Sequence, residues 1–121
     1  MPLKIITDKK FRKLPKAIIF DTDNTLYSYA PANDLALQSV FKKAEILLDI
    51  NRNLFEEKFK EARLEIKKRI CNQASSHSRL LYIQRTIELL GFKTQLLLTL
   101  DLEQTYWRTF LQSCKLFPKV R

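Results

Sequence analysis

The sequence predicts a mostly α-helical chain that contains one buried β-strand. Residues 17–20 (AIIF) form an uninterrupted apolar run, which is typical of a strand buried on both faces, as in a parallel sheet. From Pro31 onward the apolar residues recur at three- and four-residue spacing, the period of an amphipathic helix. Gly91 is the single glycine, where average usage would give about eight at this length. Since turns between strands and helices often require glycine, either the chain is nearly all helical or a glycine-rich part of the molecule lies elsewhere.

The composition is that of an ordinary folded domain. With 121 residues, 45% of them apolar and 29% charged, the chain fits one domain and is neither a disordered tail nor a membrane protein. The longest apolar runs are about four residues, so we expect no segment to span a bilayer. Residues 1–16 lack the apolar core of a secretory signal. Cys71 and Cys114 are too few for a disulfide scaffold, which predicts a reduced, cytoplasmic protein.

The positive charge of the chain is concentrated in an N-terminal arm. Residues 1–16 hold six lysines and arginines against Asp8 alone, so they supply +5 of the net charge of +9. Such an arm suits either a solvated leader or contact with nucleic acid or an acidic surface. Phe11 is its single aromatic residue, and stacking on bases needs several. We therefore favour the solvated leader and do not expect a nucleic-acid partner.

Four helical segments follow the predicted strand, over about residues 31–49, 53–72, 78–90 and 94–113. Each segment carries one apolar stripe, so we expect the stripes to pack together. The residues of the stripes are Leu37, Val40, Phe41, Ala44, Leu47, Leu48, Phe55, Phe59, Ala62, Ile66, Ile70, Leu80, Ile83, Ile87, Leu90, Leu98, Leu102, Tyr106, Phe110 and Leu111.

Local signals set the expected ends of these helices. Pro31 is tolerated in a first turn, and Asn53 lies three residues before a glutamate, which is the pattern of an N-cap with its reciprocal partner. Gly91 is the expected stop of the third helix. Asp101 repeats the capping pattern inside the fourth segment, so a break there is one alternative. A weaker strand is predicted over Leu3–Thr7.

An acidic loop at residues 21–25 (DTDNT) directly follows the predicted strand. Ligands of open α/β sheets bind at that end of a strand. Two carboxylates two residues apart can divide the work of a reaction, because one can attack phosphorus while the other moves a proton. The pair also offers hard oxygen ligands to a divalent cation such as Mg²⁺.

Two simpler interpretations of this loop are a calcium-binding loop and a solvated turn. A calcium-binding loop fails, because its sixth position is Leu26 where glycine is needed and its twelfth is Ala32 where glutamate is needed. A solvated turn, with Asp23 or Asn24 capping the next helix, stays open on the residues alone. The apolar run before Asp21 and the apolar pair after Thr25 favour a reactive site.

The segment AIIFDTDNTLY, residues 17–27, resembles the first motif of the haloacid dehalogenase superfamily of phosphohydrolases, and the helical continuation resembles its all-helical cap. The resemblance implies an α/β parent fold with a Rossmann-like core, Mg²⁺ as cofactor and an aspartyl-phosphate intermediate. It implies that Asp21 is the nucleophile and a metal ligand. It implies that Asp23 is the general acid/base, with its backbone carbonyl on Mg²⁺. Members that cleave carbon–halogen bonds lack the second aspartate, so Asp23 indicates phosphoryl transfer. Within it, the segment DNTLY, residues 23–27, resembles the pyrimidine 5′-nucleotidase-like branch of the superfamily.

The resemblance also implies a division of the chain into three parts. Residues 1–27 are the arm, the first core strand and the catalytic loop, residues 28–113 are the helical cap, and residues 114–121 return toward a core that the chain does not contain. The family's remaining motifs, a Ser or Thr, a Lys and a distal acidic pair, come after a segment like 116–118. We therefore expect the 121 residues alone to lack phosphatase activity and to self-associate through exposed core surface.

Three further residues are candidates for binding substrate. Thr25 lies in the motif, and His77 and Arg79 lie in a segment between the second and third helices, residues 75–79, that resembles the substrate-specificity loop of helical caps. Its alternative is a polar turn with an N-cap, and His77 could be an exposed histidine without a task. The sequence thus predicts the N-terminal part of a Mg²⁺-dependent phosphatase acting on a small phosphorylated metabolite or nucleotide. The alternative is a non-catalytic helical interaction module or a gene remnant.

Overall fold

The computed structural model describes residues 16–120, which form a bundle of four helices. The helices are α1 (Tyr29–Leu48), α2 (Arg52–Ile70), α3 (Arg79–Leu89) and α4 (Leu96–Ser113), and a short 3₁₀ helix, Ala74–His77, precedes α3. The four predicted helices are therefore confirmed. The basic arm and the weaker strand predicted over Leu3–Thr7 lie outside the described residues, apart from Lys16 at the end of the arm.

The ends of the helices follow side-chain chemistry, with one difference from the prediction, and the alternative of a break in the fourth helix is not observed. Asn51, two residues earlier than predicted, is the N-cap of α2, and its side chain accepts a hydrogen bond from the N–H of Asn53 at 2.8 Å. α4 continues unbroken past Asp101, whose carboxylate instead pairs with Lys43 of α1 at 2.7 Å. Gly91 follows α3 with a φ of +85°, a conformation that glycine adopts without strain.

The apolar stripes meet in one core, in which α1 packs most extensively against α4 and α2 packs mainly against α3. Phe41 of α1 lies with its ring 5.8 Å from that of Phe55 and 5.5 Å from that of Phe59. Among the predicted stripe residues, Leu47 and Leu111 are exposed, so the predicted stripes were slightly too wide. The packed interior gives the surface clefts rigid walls.

The buried strand predicted over residues 17–20 is not formed in the described part of the chain. Its apolar side chains are exposed, and that of Ile19 is 96% exposed. A strand needs a neighbour for its backbone N–H and C=O groups, and between residues 16 and 120 no strand lies beside this one. The described residues contain no sheet that this segment could join, so the core strand and the α/β parent fold both stay predictions.

The chain enters and leaves the bundle at the same place. Tyr27 and Leu116 form an isolated antiparallel bridge, and the N–H of Phe117 donates to the carbonyl of Leu26 at 2.9 Å. The acidic loop directly precedes this crossing point in the chain, at the end of the bundle where the chain enters and leaves. The proposed boundaries after residues 27 and 113 fall at this crossing and stay predictions. Within residues 16–120, no helix combines the length and the apolar character needed to cross a membrane.

Candidate active site

The acidic loop is a tight turn fastened to the start of α1. The carbonyl of Thr22 accepts hydrogen bonds from the N–H groups of Thr25 at 3.1 Å and Leu26 at 2.9 Å. Asn24 has a φ of +59°, which asparagine tolerates better than most residues. Its side chain accepts from the N–H of Tyr29 at 3.0 Å, so it satisfies a donor at the N-terminus of α1. Of the two predicted capping residues, Asn24 therefore makes the capping hydrogen bond, and neither aspartate is needed for it.

A hydroxyl group four residues further along the chain orients each carboxylate. Asp21 Oδ2 accepts from the hydroxyl of Thr25 at 2.7 Å, and Asp23 accepts from the hydroxyl of Tyr27. The hydrogen bond to Asp23, with a smaller contribution from burial, raises the pKa of Tyr27 above its ordinary value of 10.0, so Tyr27 stays a donor near neutral pH. Both aspartates remain exposed, and each keeps oxygen atoms that a ligand can reach.

The donor types of the loop fit a part of a Mg²⁺ site. Mg²⁺ takes oxygen ligands and is commonly held by one or two carboxylates together with waters and substrate phosphate. Asp21 offers such a carboxylate and Asp23 a backbone carbonyl oxygen, whereas no group of three His, Cys, Asp or Glu residues gathers anywhere within residues 16–120. The described residues can therefore hold one side of a hydrated Mg²⁺ ion.

Asp23 faces a cleft of about 500 Å³ in the side of the bundle. Its volume is within the range of about 300–1,000 Å³ that is usual for small-molecule sites. The polar residues on its wall include Asp23, Tyr27, Arg63, Lys67, His77 and Arg79. The structure thus brings together three of the predicted site residues, Asp23, His77 and Arg79. Thr25 and Asp21 are joined by a hydrogen bond within the loop, and neither residue lines the cleft.

Arg79 is held on several sides. Its guanidinium donates to the carbonyl of His77 at 2.8 Å and to the hydroxyl of Tyr29. The same group lies over the rings of Tyr106 and Trp107, with its Cζ at 5.2 and 5.9 Å from their centroids. Tyr106, a predicted stripe residue, and Trp107 therefore also fix the cation. A guanidinium held in this way binds an anion without first losing side-chain freedom.

Arg63 and Lys67 are site residues that the sequence reasoning missed. They lie one turn apart on α2 and line the cleft. α2 carries seven lysines and arginines, and the sequence does not show which of them face a cleft. A second cleft of about 290 Å³ shares Arg63 and Arg79 with the first and extends between α1 and α2. The second cleft also holds Asp34, Glu56 and Lys60, so the positive charge that the two clefts share comes from Arg63 and Arg79.

The amino-acid sequence is similar to part of a known phosphatase. It is 33% identical over 106 residues to a ribulose-1,5-bisphosphate 5-phosphatase of Halopiger xanaduensis. The match covers 87% of this chain and 44% of the relative, so the chain spans less than half the length of that protein. No family model matches the chain, and no solved structure matches it. This similarity supports a relation between the chain and phosphatases.

Proposed function

We propose that these residues are the N-terminal part of a Mg²⁺-dependent phosphatase of the haloacid dehalogenase superfamily, which hydrolyses a phosphorylated sugar through an aspartyl-phosphate. The observation that carries the proposal is the position of Asp23, at the edge of a ligand-sized cleft whose wall is cationic. The similarity to a phosphatase of a sugar phosphate supports the same activity. Cytoplasmic location is part of this proposal and rests on the two free cysteines.

In the proposed reaction the carboxylate of Asp21 attacks phosphorus, and the bond from phosphorus to the sugar oxygen breaks. Asp23 gives its proton to the departing oxygen. Asp23 then takes a proton from the water that attacks the acyl-phosphate, which releases inorganic phosphate and restores Asp21. Mg²⁺, held by the Asp21 carboxylate and the Asp23 carbonyl, would supply positive charge that offsets the repulsion between carboxylate and phosphate.

The neighbouring hydroxyl groups support these steps by orienting the two carboxylates. The bond from Thr25 engages Oδ2 of Asp21 and leaves Oδ1 for the attack. The bond from Tyr27 holds Asp23 toward the cleft, where the leaving group would lie. We assign Thr25 this positioning role in addition to the predicted contact with substrate. His77 and Arg79 would contact the sugar or its charged groups from the cleft wall.

The test uses the natural open reading frame of this protein at its full length. Turnover of p-nitrophenyl phosphate and of ribulose 1,5-bisphosphate is measured with Mg²⁺ for the wild type, Asp21→Asn and Asp49→Asn. Asp49 is a matched control, because it is an exposed aspartate at the end of α1 with a positive φ that asparagine also tolerates. We expect Asp21→Asn to lose turnover and Asp49→Asn to keep it. Wild-type kcat in Asp21→Asn would refute the mechanism.

A non-catalytic helical module is the second candidate, and one observation favours it. Within residues 16–120 no third acidic residue joins the two aspartates to complete a metal site. The same assay separates the candidates, because a module would bind ligands without turnover at any Mg²⁺ concentration.

A further inference from the structure

We propose that Arg63, Lys67 and Arg79 bind a second phosphate group of the substrate, one that is not hydrolysed, so that the substrate class is a sugar bisphosphate. This inference rests on the proposed function and assigns a binding site to residues of α2 that the sequence reasoning missed. Three features of the cleft support it. Two cations on its wall have no carboxylate partner, Arg63 and Arg79 lie where two clefts adjoin, and Arg79 is held in place by neutral groups only.

The first feature is uncompensated positive charge on α2. Three other cations of this helix are paired, Lys58 with Glu61 at 2.8 Å, Lys60 with Glu56 at 2.9 Å and Arg69 with Glu65 at 2.5 Å. Arg52 and Lys68 form no ion pair among the described residues, but they line neither cleft. Within residues 16–120, Arg63 and Lys67 form no ion pair. Like charges one turn apart on a helix repel each other and destabilise it. A bound anion would remove this repulsion.

The second feature is where the cations lie relative to the carboxylates. Asp23 is the one acidic residue on the wall of the larger cleft, so the described wall carries more positive than negative charge. Arg63 and Arg79 also line the second cleft, which Asp23 does not reach. Arg63 and Arg79 thus lie where the two clefts adjoin, and the second cleft also holds Asp34 and Glu56, of which Glu56 pairs with Lys60. A phosphate bound where the clefts adjoin would be distinct from the one that Asp21 attacks.

The third feature is the pairing of Arg79 with neutral groups only. Its hydrogen-bond acceptors are the carbonyl of His77 and the hydroxyl of Tyr29, and no carboxylate within residues 16–120 neutralises it. An arginine whose planar group is already fixed suits the oxygens of a phosphate, which accept two parallel hydrogen bonds. Three positive side chains match a phosphate dianion better than they match a single carboxylate.

Binding measurements test the inference independently of turnover. Isothermal titration calorimetry measures the Kd of ribulose 1,5-bisphosphate for the full-length protein and its variants Lys67→Gln, Arg63→Gln and Lys68→Gln. Lys68 is a matched control, because it neighbours Lys67 on α2 but lines neither cleft and is exposed. We expect Lys67→Gln and Arg63→Gln each to weaken binding about tenfold or more, as loss of a charge-assisted hydrogen bond does. The Kd of Lys68→Gln should stay at the wild-type value.

Kinetics with a matched pair of substrates locate the bound group. Ribulose 1,5-bisphosphate and ribulose 5-phosphate differ only in the second phosphate. We expect Lys67→Gln to lower the ratio of kcat/KM for the bisphosphate to that for the monophosphate by about tenfold. An equal loss for both substrates would place the cations on the reacting phosphate and overturn the inference, as would an unchanged Kd in both Lys67→Gln and Arg63→Gln. Weakened binding in a protein without turnover would keep the anion site and overturn the proposed function alone.

Discussion

The N–H of Phe117, beyond the last helix, donates a hydrogen bond of 2.9 Å to the carbonyl of Leu26, which precedes the first helix. This bond joins the two ends of the bundle beside the acidic loop. It means that the position of Asp23 relative to the cleft depends on contacts made by residues more than 85 positions further along the chain. A helical unit whose two ends meet is also the arrangement expected of a cap inserted into another domain.

The first prediction follows from this crossing of the chain. If the bond between Phe117 and Leu26 persists in solution, the amide hydrogen of Phe117 exchanges with solvent more slowly than that of Lys115, whose N–H has no backbone partner within the described residues. Hydrogen exchange followed by NMR measures both rates. Equal rates, corrected for local sequence, would show that the two ends separate in solution.

A second prediction concerns Tyr106, which is fully buried. Its hydroxyl donates to the side-chain oxygen of Asn33 at 2.8 Å, and burial raises its pKa well above the ordinary value of 10.0. Tyr106→Phe removes one hydrogen bond and leaves Asn33 accepting from Tyr29, so we expect the free energy of unfolding to fall by about 1 kcal/mol.

Urea unfolding measures this loss. Tyr106→Leu is the comparison, because it also removes the ring that stacks on Phe110 at 5.9 Å and lies under Arg79. Its loss should be larger, about 2–4 kcal/mol. Equal losses in the two variants would mean that the aromatic ring adds no stability to that provided by the hydroxyl group.

A third prediction concerns the pH dependence of stability through Glu65. Arg85 of α3 donates two hydrogen bonds to this carboxylate, at 2.7 and 3.2 Å, and lowers its pKa below the ordinary value of 4.5. Because the pKa is lower in the folded state, the stabilisation is complete above the unfolded value and is lost as the pH falls through the folded value. Glu65→Gln should therefore be less stable than wild type at pH 7, and the difference should narrow toward about pH 3.

The measurement is the free energy of unfolding of both proteins across this pH range. Glu57→Gln is the control, since Glu57 lies on the same helix, is exposed and forms no ion pair among the described residues. A difference between wild type and Glu65→Gln that stays constant down to pH 3 would contradict the prediction.

These results show which parts of the molecule could be predicted from local sequence. The helices could, because their apolar spacing and the stop at Gly91 are set by residues a few positions apart. Asn51 and Asn53 both suit an N-cap by residue type, and in the structure Asn51 is the cap, with its side chain accepting from the N–H of Asn53. A strand over residues 17–20 could not be predicted from local sequence alone, because a strand depends on a neighbouring strand that its own residues do not specify.

The residues of the candidate site also divide into those that a local motif reveals and those that depend on packing. The aspartates were found because a short motif carries them, and Arg79 was found through its loop. Arg63 and Lys67 were missed because their role depends on how α2 is rotated against α3, which the seven similar cations of that helix do not reveal. A substrate-binding wall assembled from separate helices is a property of packing and has no local pattern.

The last prediction separates the charge of Arg79 from its shape. Arg79→Lys keeps the positive charge, but an ammonium group is not planar and lacks the geometry to reach the His77 carbonyl and the Tyr29 hydroxyl while lying over the ring of Tyr106. We expect kcat/KM for ribulose 1,5-bisphosphate to fall about tenfold, mainly through a higher KM, because the cation is no longer held in place. Arg108→Lys is the matched control, since Arg108 is an exposed arginine of α4 that lines neither cleft. Circular dichroism and thermal melting confirm that both variants fold. If Arg79→Lys keeps the wild-type KM, charge alone suffices at this position, and the network from Tyr29 to Tyr106 serves the stability of the bundle and not the binding of substrate.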